Sequence, residues 1–408
     1  MHLVWIGRRL TSGASAALRA RYATLAWPPA HLLLSLCLHE QTRAIANVGT
    51  PWSLSAICLK FCFDKNMRNV VGKSHVFLLG AGASIAALPK GDKNGRFLPN
   101  LKNVSEFLDL TDEIKSYGLN AYSEDFEALY SYIYDKGQFD SLKSKIEKGV
   151  RDYFEKIDLP DEVNLYDNLL FSLRKKDIIA SFNWDPLLIK AYERNYKFKD
   201  YLPNIVFLHG NVWHNYCEKD DLLFPKSTMC PKCGAKSNDL PILFPVEHKD
   251  YNSDFLIKGS WDSLRASLKD HFLFTIFGYS GPKTDIEARS LLKDAWDQNA
   301  VKEFADTEII DIKSKTEIEE NWDEFLYSHH YSIYQEIEEG YSFIFPRRSC
   351  EALFSLTQML EHWPENRFPK FDKLSQLHDW IQPLLEDEKR VENNPQEDFE
   401  YKAVLYKK

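Results

Sequence analysis

The stretch Val76-Phe77-Leu78-Leu79-Gly80-Ala81-Gly82-Ala83-Ser84 decides the fold. Four apolar residues without alternation read as a strand buried on both faces, the habit of parallel sheets. The small residues after them read as a tight turn into a helix. Such a turn lets backbone N–H groups approach a phosphate, with the positive end of the helix behind them, and Ser84 adds a hydroxyl donor. As a dinucleotide fingerprint the match stops short, because the third glycine of G-x-G-x-x-G falls at Ile85. Simple packing of a helix on a strand also accounts for such a turn, so its meaning depends on the rest of the chain.

Five further runs share the character of the first, His75–Leu79: Asp177–Ser181, Ile205–Leu208, Phe272–Phe277, Glu308–Ile312 and Tyr341–Phe345. Helix-like stretches or longer connections separate most of them, which predicts an α/β, Rossmann-like doubly wound parallel sheet. Several runs end in small or polar residues, as in Asn183-Trp184-Asp185, His209-Gly210 and Gly278-Tyr279-Ser280. Ligands of open α/β sheets bind outside the carboxyl ends of the strands, so these endings predict one shared crevice. Between the first two strands, residues of about 104–173 carry helical spacing (Phe126, Leu129, Tyr130, Ile133, Tyr134) and read as a helical insertion. Residues of about 214–244 read as a small cysteine module. The catalytic domain is expected over 67–345, with a helical tail over 346–408 that ends in a charged segment.

Taken in order, Gly80-Ala81-Gly82-Ala83-Ser84, Ser181-Phe182-Asn183-Trp184-Asp185, Leu208-His209-Gly210 and Gly278-Tyr279-Ser280 resemble the SIR2-like family, the sirtuin-related proteins that cleave NAD. The family pattern is a Gly-Ala-Gly-x-Ser turn, a Thr-x-Asn-x-Asp strand end, a His-Gly after a later strand and a Gly-[Thr/Tyr]-Ser turn. The resemblance spans roughly Lys73 to Phe345. Ser181 stands where the pattern has threonine and keeps the hydroxyl. Sirtuin deacetylases continue from the glycine turn into Gly-Ile-Pro-Asp-Phe-Arg, whereas this chain reads Ala86-Ala87-Leu88-Pro89-Lys90-Gly91-Asp92. That departure favours the branch resembling NAD hydrolases, many of them in bacterial antiphage defence.

The resemblance implies NAD as substrate. Cleaving its nicotinamide–ribose bond needs little acid catalysis, because pyridinium is already a cationic leaving group. What is needed is a pyrophosphate site, fixed dipoles facing an oxocarbenium-like ribose, and a base for the incoming nucleophile. His209 suits the base, since imidazole titrates near neutrality. Asn183 suits the ribose or the attacking water. Asp185 either faces the cationic sugar or, standing before Pro186, caps a helix. Gly80, Ala81, Gly82 and Ser84 are the expected pyrophosphate turn. Gly278 and Ser280 are expected against the adenosine half, and Asp311 on a ribose hydroxyl. Two other readings stay open: an NAD-dependent protein deacylase, and a catalytically inactive nucleotide sensor.

Cys230-Pro231-Lys232-Cys233 is a C-x-x-C knuckle, and His214 with Cys217 upstream repeats its spacing, giving H-x2-C-x12-C-x2-C. Zinc takes about four such ligands. Sirtuins carry a four-cysteine zinc module in the corresponding region, so His214, Cys217, Cys230 and Cys233 are the expected structural zinc ligands; a metal-free loop is the alternative.

Composition bounds the rest. The chain has 408 residues, 44% of them hydrophobic and 27% charged, enough apolar mass for a packed core. Its net charge of −9 argues against direct nucleic-acid binding, which needs clustered basic groups. No apolar run near the N-terminus approaches the ~20 residues of a membrane span. A soluble, cytoplasmic protein is expected. Residues 1–66 carry seven basic and two acidic groups, whereas 67–408 carry 44 and 58. This basic leader reads as a transit peptide, a twin-arginine signal or upstream sequence translated ahead of Met67. An unrestrained NAD hydrolase would poison its host, so inhibition by a regulatory partner, by homo-oligomerisation or by the helical insertion is expected.

Overall fold

In the computed structural model, the unit Asn66–Lys408 is described over residues 73–394, apart from 100–102, 123–124, 221, 227, 236–237, 246–250, 252–253, 284, 300, 327–329 and 358–362. The leader, with its three readings, and residues 395–408 of the tail lie outside the described residues. Among the described residues nine strands follow in chain order: β1 Ser74–Leu79, β2 Ile178–Ser181, β3 Asn204–Phe207, β4 His214–Cys217, β5 Leu222–Pro225, β6 Asn238–Asp239, β7 His271–Phe277, β8 Asp306–Ile310 and β9 Tyr331–Tyr334. Six form one sheet in the order β3-β2-β1-β7-β8-β9, every pair parallel. The order turns back at β1, where the chain leaves for β2 on one side and returns as β7 on the other. A doubly wound sheet has its ligand crevice at such a point.

Strand β1 shows why the sheet is wound on both faces. Successive side chains of a strand point to opposite sides. Phe77 and Leu79 enter one core with Leu169, Leu170, Leu187 and Leu188, while Val76 and Leu78 enter another with Trp261, Leu264, Ala288 and Leu292. Helices Leu165–Ser172 and Leu187–Arg194 cover the first face, Phe255–Leu268 and Ile286–Asp297 the second. The tail helix Leu374–Asn393 also packs into the first core through Leu377, Trp380, Ile381 and Leu384. A buried ion cluster holds it there. Burial pushes the Glu388 carboxyl up, but Arg347 and Arg348 hold it at about 2, with Nε of Arg347 2.6 Å and a guanidinium nitrogen of Arg348 2.8 Å from Oε1.

The helices between β1 and β2 pack around a core of Ile114, Phe126, Leu129, Ile133, Leu142, Ile146 and Val150, joined by Val212, Ile242 and Phe244 from beyond β3. Sequence spacing assigned residues of about 104–173 to one helical insertion. Helix Leu165–Ser172, which the spacing placed within it, packs on the sheet instead.

Two strand expectations need correction. The run Tyr341–Phe345 forms a short helix, Tyr341–Ile344, entered through Gly340. A five-residue run with four apolar residues does not distinguish a strand from a helical turn. The sixth strand is instead Tyr331–Tyr334, a half-buried edge strand that lacks the continuous apolar signal. The run Glu308–Ile312 sits two residues early, as Asp306–Ile310, and Ile312 lies 91% exposed beyond it.

A polar seam crosses this apolar sheet. Ser349 Oγ lies 2.9 Å from His75 Nδ1, His75 Nε2 lies 2.7 Å from Thr275 Oγ1, and the Thr275 hydroxyl donates to Glu308 Oε2 at 2.7 Å. The Tyr341 amide donates to the other Glu308 oxygen at 2.8 Å. Burial raises the Glu308 carboxyl to about 7 and holds the His75 imidazole well below its usual value. No helix among the described residues is long and apolar enough to cross a membrane.

Candidate functional site

The strand ends meet at the reversal point. The Gly80 amide donates to Phe277 O at 3.0 Å and the Gly82 amide to Gly278 O at 2.9 Å, so the turn after β1 lies directly on the turn after β7. A Cβ on Gly80 would stand 2.5 Å from Gly278 O, and one on Gly82 would stand 2.8 Å from Gly278 Cα. Gly278 itself has φ +65°, a conformation L side chains avoid. The glycines are therefore needed for the approach of two backbones.

Asn183, just past β2, ties this double turn to the next strand. Its amide nitrogen donates to Gly80 O and to Ser84 Oγ, each at 2.8 Å. Ser84 Oγ also lies 2.7 Å from the hydroxyl of Tyr166. Tyr166 sits on helix Leu165–Ser172, upstream of β2 in sequence, and is fully buried, which pushes its phenol up. Asp185 completes the group. Burial raises its carboxyl above the usual range, while a hydrogen bond from Ser84 and the Leu187 amide at 3.0 Å work in the opposite direction. The Asp185 carboxylate thus accepts the first amide of helix Leu187–Arg194 and faces Ser84. Tyr166 was not legible in the sequence, because nothing local marks a tyrosine on a packing helix as polar-bonded.

His209, one residue beyond the Leu208 that extends β3, is half-buried, and its ring packs at 4.7 Å from Phe182. Its Nε2 lies 3.1 Å from the hydroxyl of Tyr251, which donates to Asp285 Oδ1 at 3.3 Å. Tyr279, between Gly278 and Ser280, donates to Asp285 Oδ2 at 3.2 Å and packs on Phe182 at 4.4 Å. Phe182, next to Asn183 in the chain, thus packs on both His209 and Tyr279. Ser280 lies half-buried in the same turn. Asp311 follows β8, and its carboxylate accepts the Lys313 amide at 3.0 Å, shaping its own loop. Tyr251 and Asp285 are further residues that sequence spacing did not single out.

The cysteine module forms a three-stranded antiparallel sheet, β5-β4-β6. Cys217, Cys230 and Cys233 come together there, joined by Asp220, with one ligand atom of each within 4.8 Å of the others. His214 is not in this group. It lies three residues before Cys217 on β4, and an odd separation along a strand puts two side chains on opposite faces. Cys217 points inward, whereas His214 packs near Phe207 and lines a cavity of about 310 Å³ beside β3. Burial lowers its imidazole to about 4. The expected ligand set is therefore corrected to Cys217, Asp220, Cys230 and Cys233.

Those donors fit zinc. A tetrahedral ion with Zn–S near 2.3 Å and Zn–O near 2.0 Å separates two thiolates by about 3.8 Å and a thiolate from a carboxylate oxygen by about 3.5 Å. Here Cys217 Sγ and Cys233 Sγ are 3.6 Å apart, and Asp220 Oδ2 lies 3.5 Å from Cys217 Sγ and 3.1 Å from Cys230 Sγ. An ion there would cross-link β4 to the knuckle, a structural task. The hydrogen bond with Asp220 pushes the Cys233 thiol up to about 12.

No protein-family model matches the chain, and no curated protein does. Among solved structures it is similar to one described under the mechanism and regulation of Sir2 enzymes, at 15% identity over 72% of this chain and 98% of that one, TM-score 0.34. It is similar also to a Sir2 bound to acetylated peptide, at 16% identity over 72% and 97%, TM-score 0.31. A Sir2 homolog–NAD complex is 13% identical over 73% and 95%, TM-score 0.30.

Proposed function

We propose that this chain is an NAD glycohydrolase of SIR2-like type, releasing nicotinamide and ADP-ribose. The observation that carries the reading is the meeting of Ser84, Asn183 and Asp185 at the reversal point of the sheet, with His209 at the end of the neighbouring strand and packed on Phe182. In this reading the turn Gly80–Ser84 faces the pyrophosphate, and Ser280 with Gly278 faces the adenosine half. Asn183 directs the attacking water or the ribose, and Asp185 offsets the positive charge that develops on the sugar. His209 takes the proton of the nucleophile. Asp311, at the end of β8, is proposed for a ribose hydroxyl.

Hydrolysis rather than deacylation is supported by the stretch after the glycine turn. There Asp92 accepts the amides of Asn94, Arg96 and Asp158, and Arg96 reaches the Lys156 carbonyl. The segment is closed on itself and on the helical insertion, where deacetylases of the resembled family carry their Pro-Asp-Phe-Arg stretch. Antiphage defence by NAD depletion is the role the resemblance implies, with zinc as a structural cofactor and restraint supplied by a partner protein or by further copies of the chain.

The test is nicotinamide release from NAD by purified protein, with and without an acyl-lysine peptide. Release without peptide supports hydrolysis. Release only with peptide means a deacylase, and binding without turnover means a sensor.

A further inference from the structure

We infer that Arg289 is a positioning residue for the adenosine half of NAD, holding the turn after β7 and the segment after β8 in one frame. This rests on the reading above, in which Gly278, Ser280 and Asp311 face that half. Arg289 lies on helix Ile286–Asp297, is 8% exposed, and reaches back to the turn that precedes its own helix. Both hydrogens of one guanidinium nitrogen are spent on backbone carbonyls: Nη1 donates to Gly281 O and to Asn321 O, each at 2.7 Å. Nη2 donates to Glu324 Oε1. Gly281 closes the turn Gly278-Tyr279-Ser280-Gly281. Asn321 lies in the last turn of helix Lys315–Trp322, which follows the Asp311 loop, and a carbonyl there has no partner inside its own helix. Arg289 supplies that partner and so ties the helix to the turn.

The rest of the turn shows what the tether adds. Its entry is already fixed, because the Gly278 amide donates to Ile310 O at 3.0 Å and Gly278 O accepts the Gly82 amide at 2.9 Å. Its exit is Gly281, with φ +56° and so little room that a Cβ would stand 2.6 Å from Trp322 Cζ2. Ser280 therefore hangs between two anchored points, and Arg289 is bonded to the second. The same guanidinium stands 5.7 Å from the Trp322 ring and 5.9 Å from that of Phe325, so its plane is packed as well as bonded. Glu324 is 40% exposed, and an ion pair of that kind contributes little by itself. The two carbonyl bonds are the ones that fix backbone. A guanidinium presents its donors in a rigid plane and can hold carbonyls of two separate segments, whereas an ammonium on a flexible stem is a single point.

The experiment compares the full chain with Arg289→Lys, which keeps the charge, and Arg289→Met, which keeps the stem against the rings but removes every donor. Arg289→Lys should raise KM for NAD and Kd for ADP-ribose by about 10-fold each, with kcat within about threefold, as for a group that aids binding of a remote part of the substrate. Arg289→Met should move the same constants further; should it fail to fold, the lysine variant decides. Hydrogen exchange should quicken over residues 278–283 in the folded variant, which ties the change in KM to the turn. A folded Arg289→Lys with KM and Kd as in wild type, with kcat alone reduced, or with exchange unchanged over 278–283 overturns the inference. If wild type itself neither releases nicotinamide nor binds ADP-ribose, the functional reading falls and takes this inference with it. If wild type does both and the variant matches it, only the role of Arg289 falls.

Discussion

Two polar networks lie buried in the same parallel sheet, and they differ in where they stop. The seam Ser349–His75–Thr275–Glu308 runs through the middle of the strands and ends on a backbone amide, so both Glu308 oxygens are taken within the protein. The crevice group Ser84–Asn183–Asp185–Tyr166 sits where β1 and β2 end, beside a half-buried histidine on the neighbouring strand. Both contain a carboxyl raised by burial. A perturbed acid is thus not by itself the mark of a site. What distinguishes the crevice group is its place at the carboxyl ends of β1 and β2, where the backbone leaves the sheet and where ligands of open α/β sheets bind.

Substitution should separate the two sharply. The largest expected effect is in the crevice: Asn183→Ala and His209→Ala should each lower nicotinamide release at least about 100-fold. Removing Asn183 also strands its partners, so its unfolding free energy should fall by about 1–3 kcal/mol. Equal losses of release and of folded fraction would erase the distinction. Next comes the tail side of the sheet. Glu388→Ala leaves Arg347 buried without its carboxylate and Arg348 with Asp387 in place of two carboxylates, and should cost about 3–5 kcal/mol in denaturant unfolding, with activity per folded molecule kept.

The seam should show itself through pH. The Glu308 carboxyl titrates at about 7 in the folded chain against 4.5 ordinarily, so ionising it burdens the folded state more than the unfolded one. Its contribution to stability is full below pH 4.5 and is lost as pH rises through about 7. Chemical denaturation from pH 4.5 to 8 should show that decline, and Glu308→Gln should flatten it. A slope that survives the substitution would place the titrating group elsewhere. The smallest effect on turnover is expected in the cysteine module. Cys230→Ser should remove stoichiometric zinc and loosen amide protection over β4, leaving nicotinamide release within about twofold. No zinc in wild type would end the metal assignment.

Much of this architecture is legible in the amino-acid sequence. Five of the six sheet strands are foreshadowed by near-continuous apolar runs, because most positions of strands covered on both faces meet apolar neighbours; the polar exceptions His75, Thr275 and Glu308 pair with one another across the sheet. The edge strand Tyr331–Tyr334 does not, since a half-buried edge carries no such run, and Tyr341–Phe345 takes its place by apolarity alone. The crevice residues after each strand are legible for the same reason as the strands: the end of a run marks a carboxyl end, and parallel carboxyl ends share one side.

By itself, then, the sequence determined the winding of the sheet, the order of its strand ends and the cysteines of the module, because these follow from local pattern and chain order. Only the tertiary structure decided which distant groups join them. Asp220 takes the place assigned to His214 because strand alternation turns the histidine away. Tyr166, Tyr251 and Asp285 reach Ser84 and His209 across 82, 42 and 34 residues of chain, the last by way of Tyr251. Separations of that length are set by helix-on-sheet packing, which no local spacing encodes.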